Sequence, residues 1–123
     1  GRVTIRSSSE PDTLRAAYSA ADIFVLPSLM ESYGLVFAEA LTFALPILAT
    51  RSAAVPEVVK GAAALVSAGD DPALRQRLRE LMTDRDRREA LSEAAGREAH
   101  ELPTWSRARE GFVQAVRTAA GAR

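Results

Sequence analysis

The sequence has no cysteine and a single histidine among its 123 residues. Disulfides, thiolate chemistry and cysteine-ligated metals are therefore excluded, and so is a histidine-rich metal site. Neither sign of charge dominates: 16 basic residues meet 16 acidic ones. A nucleic-acid binder or a polybasic membrane surface is not expected from that balance. Long hydrophobic runs are missing too. The longest fall far short of the roughly 20 apolar residues that span a bilayer, and no signal-peptide pattern opens the chain. The sequence reads as soluble and, with no cysteine, as compatible with a reducing cytoplasm.

Apolar residues make up 47% of the chain. That is enough for a real core, and the length fits one domain, residues 1–123. The charges are unevenly placed. Residues 1–70 carry 5 basic and 7 acidic groups, and residues 71–123 carry 11 and 9. An apolar, strand-rich body thus precedes a charged helical tail over 70–123. All but one of the basic residues are arginine, a bias that suits a GC-rich bacterial genome and carries no mechanistic weight.

Val3-Thr-Ile-Arg6 is a short β-branched run and reads as a first strand. Pro11 fits the first turn of a helix, with Ser9 or Glu10 before it, and Leu14, Ala17, Tyr18 and Ala21 recur at helical spacing. Ile23-Phe-Val-Leu26 shows no alternation, the pattern of a strand buried on both faces of a parallel sheet. Leu35 to Ala44 reads as a buried helix, apolar on nearly every side, which Pro46 stops. Ile47 to Thr50 is the next strand. Pro56 opens a short helix that Gly61 breaks, and Ala63 to Val66 is the last strand. Alternation of this kind predicts βαβ units, a parallel sheet of about four strands and an α/β fold. Three amphipathic stripes follow, the third made of Trp105, Ala108, Phe112, Val116 and Ala119. They predict helices packed on the sheet.

In an open α/β sheet, ligands gather at the carboxyl ends of the strands. Two loops lie there: Pro27 to Gly34, and Arg51 to Val55. Gly34 sits where the chain enters a helix, so unpaired N–H groups can face an anion such as phosphate. Glu39 is the unusual residue of that helix, because Val36, Ala38, Ala40, Leu41 and Phe43 around it are apolar. A carboxylate buried there needs partners. Helical side chains tilt toward the N-terminus, so its oxygens are expected to lean back toward the anion site and to suit a vicinal diol such as a ribose. The alternatives at this point are a glutamate paired with an arginine or one exposed at a helix edge.

The run Ala21-Asp-Ile-Phe-Val-Leu-Pro-Ser28, then Glu31-Ser-Tyr-Gly-Leu-Val-Phe-Ala-Glu39-Ala, then Leu45-Pro46 and Val55-Pro-Glu57-Val-Val, resembles the C-terminal domain of family 4 (group 1) glycosyltransferases of the GT-B fold. Asp70-Asp-Pro72 and Trp105 extend the resemblance over most of the chain. Two glutamates with seven residues between them are that family's signature, and Glu31 and Glu39 match it.

The resemblance implies a partial Rossmann-like domain that binds a nucleoside diphosphate sugar as donor, with no metal and no cofactor. It implies that Glu39 holds the ribose hydroxyls and that Glu31, the catalytic candidate, faces the transferred sugar near its anomeric carbon. It implies backbone contacts from Tyr33, Gly34 and Leu35 to the sugar and distal phosphate. Ser28 matches a proline-serine loop; a turn or cap role is the plainer reading. Glu57 matches a proline-glutamate, or is simply an acid in a first helical turn. The sequence departs from the family at Ser7, at Phe43-Ala44-Leu45 and at Arg51-Ser-Ala53-Ala54. The last change predicts a narrower space beside the sugar. Arg51 reads as a solvent-exposed arginine before it reads as a phosphate contact.

The family's upstream basic residues and its acceptor-binding N-terminal domain have no counterpart in this sequence. The chain alone is therefore expected to transfer no sugar. In the parent sheet of the family, absent strands separate Val3–Arg6 from Ile23–Leu26, so an open edge is expected, with a homodimer, a domain swap or a compensating rearrangement to cover it. The parent is expected in the cytoplasm, peripheral at the inner membrane face. Two rival readings stand beside this one. One is a non-catalytic module that binds nucleotide or packs on a protein partner. The other is a flavodoxin-like or receiver-like domain, disfavoured because no acidic cluster follows the first strand.

Overall fold

A computed structural model describes residues 2–7, 10–29, 35–52 and 54–121. Within them lie six α-helices, a short 3-10 turn and one parallel sheet. The strands are β1 (Phe24–Leu26), β2 (Ile47–Arg51) and β3 (Ala63–Ser67), in the order β1-β2-β3. Leu48 of β2 pairs with Val25 on one side and Ala64 on the other. The α/β architecture and parallel sheet agree with the sequence reading, but the strand count is three and not about four.

The strand expected at Val3–Arg6 is absent, and Val3 and Ile5 are almost wholly exposed. β-branched residues favour extended backbone, yet a strand needs a neighbour to satisfy its ladder. Val3–Arg6 has none among the described residues. β1 is not buried on both faces either: Val25 is 38% exposed, and β1 bonds to β2 alone. Its other edge pairs with no strand among the described residues.

β2 is the true central strand, with residues 47–50 all buried. Its alternating side chains feed two cores. Ile47 and Ala49 join Tyr18, Phe37, Ala40, Leu41, Val55 and Val59 on one face. Leu48 joins Ala64, Val66 and Leu81 on the other.

The connecting helices are α1 (Pro11–Ala20), α2 (Leu35–Thr42) and α3 (Val55–Val59). Pro11 starts α1, where its missing N–H costs nothing. α2 is not buried all round. Phe37, Ala40 and Leu41 face the core, whereas Leu35, Glu39 and Thr42 are exposed. α2 also ends earlier than Ala44, because Ala44 takes a left-handed backbone at φ 51° that no helix continues. The Ser92 hydroxyl donates to the Ala44 carbonyl at 2.7 Å and ties that corner to the tail.

The tail begins at a turn with Gly69 at φ 79°, a conformation that favours glycine. Asp70 then caps α4 (Asp71–Thr83) by accepting from the Ala73 amide at 3.0 Å. Asp84 caps α5 (Arg85–Glu101) in the same way. Arg88 reaches back to the Leu81 and Met82 carbonyls at the end of α4, and Arg87 and Arg77 both bond Glu80. α4 packs on β3 and β2, and α5 packs on α2. The third tail helix, α6 (Trp105–Gly121), does not bury its predicted stripe on the sheet among the described residues. Phe112 and Val116, from the predicted stripe, are 71% and 50% exposed. No helix among the described residues is long and apolar enough to cross a membrane.

Candidate functional site

The carboxyl ends of β1 and β2 come together at Ser28 and Thr50. The Thr50 hydroxyl, on a 4% exposed residue, donates to the Ser28 carbonyl and pins the first tip loop to the central strand. At the second tip, Arg51 is exposed, as the plainer reading expected. The next side chain, Ser52, has a buried hydroxyl oxygen with no hydrogen-bond partner among the described residues. An orphan hydroxyl at a strand tip is a polar group that a ligand can satisfy. Sequence reasoning passed over it as part of a substituted loop.

Leu35 opens α2 and is 70% exposed. Glu31, Tyr33 and Gly34 lie outside the described residues. Glu39 stands near the middle of α2. It is not buried among apolar neighbours; it is exposed, and its partner is a tyrosine and not an arginine. The Tyr18 hydroxyl, on α1, donates to Glu39 Oε2 at 3.0 Å. The reason lies in the helix period. The apolar residues next to Glu39 in sequence point inward, while residues four before and three after it, Leu35 and Thr42, share its outward stripe.

Tyr18 is only 9% exposed. Its ring stacks against Phe43 at 5.2 Å and Phe24 at 5.9 Å, and Phe24 meets Phe37 edge-on at 5.7 Å. This aromatic cluster fixes the ring and leaves the hydroxyl at the rim. Burial first, then the hydrogen bond and charge of Glu39, push the Tyr18 phenol up to about 12. Folding therefore favours the protonated phenol. That contribution to stability is intact below about pH 10, the unfolded value, and is lost between about pH 10 and 12. In a spectrophotometric or NMR titration, Glu39→Gln is expected to lower the Tyr18 pKa while leaving it above 10, because burial persists.

Tyr18 and Glu39 line a groove of about 360 Å³ between α1 and α2, together with Pro11, Leu14, Arg15, Thr42 and Phe43. It offers an apolar floor, one cation and one oriented carboxylate, and its size suits a small planar ligand with hydroxyls. Sequence reasoning placed Tyr18 in a helical stripe and missed its role. The available signal was that a buried tyrosine ring seeks a partner for its hydroxyl.

Comparison with known proteins agrees with this architecture. The family model for glycosyl transferases group 1 matches residues 2–98. The chain is 37% identical over 99 residues to sulfoquinovosyl transferase SQD2 of Arabidopsis thaliana, covering 76% of this chain and 19% of that protein. It is 34% identical over 110 residues to a D-inositol 3-phosphate glycosyltransferase of Corynebacterium urealyticum, covering 88% of this chain and 26% of that protein. Among solved structures, a sucrose-phosphate synthase from Thermosynechococcus elongatus superposes with a TM-score of 0.86 at 26% identity, over 99% of this chain and 31% of that one. The chain thus spans between about a fifth and a third of these relatives. A family match over most of its length, carried on the same parallel α/β scaffold, makes this chain a member of the group 1 glycosyl transferases.

Proposed function

We propose that the chain is the nucleotide-sugar-binding part of a retaining glycosyltransferase, in which Glu39 grips the donor ribose. The supporting observation is the geometry of that carboxylate. It opens onto the groove between α1 and α2, and one oxygen is already held by Tyr18. A carboxylate accepts at both oxygens along about four directions, so it can take two hydroxyls of a vicinal diol and keep the tyrosine. The apolar floor of Pro11, Leu14 and Phe43 suits the face of a base.

In this reading Glu31 faces the transferred sugar as an electrostatic, positioning group, not as half of an acid/base pair. The backbone of Tyr33, Gly34 and Leu35 and the tip at Ser28 face the sugar and distal phosphate. No metal takes part. The partners are the nucleotide-sugar donor and an N-terminal acceptor domain, and the chain alone turns over no donor. The experiment is a thermal-shift panel with UDP, GDP, ADP and their sugars. Stabilisation by at least one nucleotide is expected, and none from any of them contradicts the reading.

A second reading, a module that packs on a protein partner, draws on α6, whose apolar side has no cover among the described residues. The open edge of β1 likewise supports self-association through strand pairing. A dimer in light scattering at high concentration is expected, and a monomer under those conditions contradicts it.

A further inference from the structure

Glu39 sits on the exposed side of its helix, where a glutamate normally samples several rotamers. Any ligand that needs its carboxylate in one orientation must first freeze that freedom. Tyr18 removes the need. Its ring is locked between Phe24 and Phe43 in the core, so its hydroxyl is a fixed point at the groove rim. From there it donates to Glu39 Oε2 at 3.0 Å. A phenol ordinarily titrates at 10.0 and this one is pushed higher, so it is a donor at every physiological pH. Among the described residues no other side chain bonds the Glu39 carboxylate. Oε1 and the second lone pair of Oε2 are left for a ligand.

We propose that Tyr18 is the positioning residue of Glu39: it holds the carboxylate in the orientation from which a ribose diol is bound, and so sets the preference for ribonucleotides. This rests on the donor-site reading above. A plain staple between α1 and α2 is the rival role, and it makes a different prediction. A staple supports every ligand of the groove equally, whereas a positioning residue supports only ligands that use the carboxylate.

The test is calorimetric titration of the chain with UDP, GDP and ADP and with their 2′,3′-dideoxy counterparts. The wild type is compared with Tyr18→Phe, Glu39→Gln and the double variant. Tyr18→Phe keeps the aromatic stack and deletes the hydroxyl. It is expected to weaken the best ribonucleotide about tenfold, the worth of one hydrogen bond to a charged group at its modest end. Its dideoxy counterpart should change by less than about twofold, and Tyr18→Phe should add nothing in the Glu39→Gln background. Glu39→Asp, which keeps the charge but withdraws it from Tyr18, should reproduce the selective loss and serves if Tyr18→Phe does not fold.

Unchanged ribonucleotide binding in Tyr18→Phe, or equal weakening of both ligand classes, overturns the positioning role while the donor site stands. A wild type that binds no nucleotide, or binds ribo and dideoxy forms alike, or a Glu39→Gln variant that binds as tightly as the wild type, overturns the donor site, and the positioning role falls with it.

Discussion

Glu39→Gln is expected to weaken nucleoside diphosphate binding about thirtyfold. In the proposed donor site the substitution keeps size and shape but replaces two charge-assisted hydrogen bonds to the ribose by neutral ones, at a cost of about 1 kcal/mol each. At a concentration about 100 times the wild-type dissociation constant, ligand stabilises the folded chain by about 2.7 kcal/mol. At that same concentration the variant retains under about 1 kcal/mol. The unliganded variant should melt near the wild type, because Glu39 is exposed and its one bond to Tyr18 lies at the rim. Thermal denaturation with and without nucleotide reads both quantities. A variant stabilised as much as the wild type contradicts the assignment of Glu39. One that melts far lower without ligand shows that the residue acts on the fold instead.

Phe37→Ala is expected to cost about 3–5 kcal/mol of stability, the largest effect of any single change considered. Phe37 is fully buried and its ring meets Phe24 edge-on. Its loss opens a cavity between α2 and the sheet. The domain as a whole is worth about 5–15 kcal/mol, so the variant sits near its threshold. The effect reaches the groove as well. Phe24 is packed on both Phe37 and Tyr18, so loosening it frees the tyrosine that holds Glu39. Urea unfolding at an unchanged slope measures the loss. Val25→Ala is the control: that side chain is 38% exposed at the sheet edge and should cost under about 1 kcal/mol. Comparable costs for the two variants contradict the placement of the core under α2.

The legible parts of the fold were those written in unbroken pattern. Ile47 to Thr50, read as the next strand, is buried throughout, as a central parallel strand must be, whereas Ile23 to Leu26, whose lack of alternation predicted burial on both faces, lies at the edge with Val25 38% exposed. Asp70-Asp-Pro72 entered the sequence reading only as part of the family resemblance, and the structure shows that Asp70 caps α4. Val3–Arg6 misled because β-propensity says that a segment suits a sheet, not that a neighbour is there to receive it. Phe112 and Val116 misled in the same sense: their spacing reveals an apolar face on α6 and is silent about what covers it. At Glu39 the error came from counting neighbours along the chain. Helical geometry puts Phe37, Ala40 and Leu41 on one side and Glu39 on the other. The groove itself could not be read, because it is made by α1 and α2, and Tyr18 and Glu39 are 21 residues apart.

A crystal structure of the chain grown with the best-stabilising nucleoside diphosphate addresses the donor site directly. The expected result is a ribose whose 2′ and 3′ oxygens lie within hydrogen-bond distance of the Glu39 carboxylate, with the base over Pro11 and Leu14 and the Tyr18 bond intact. A nucleotide bound elsewhere, or one seated in the groove with Glu39 turned away from its sugar, contradicts the account.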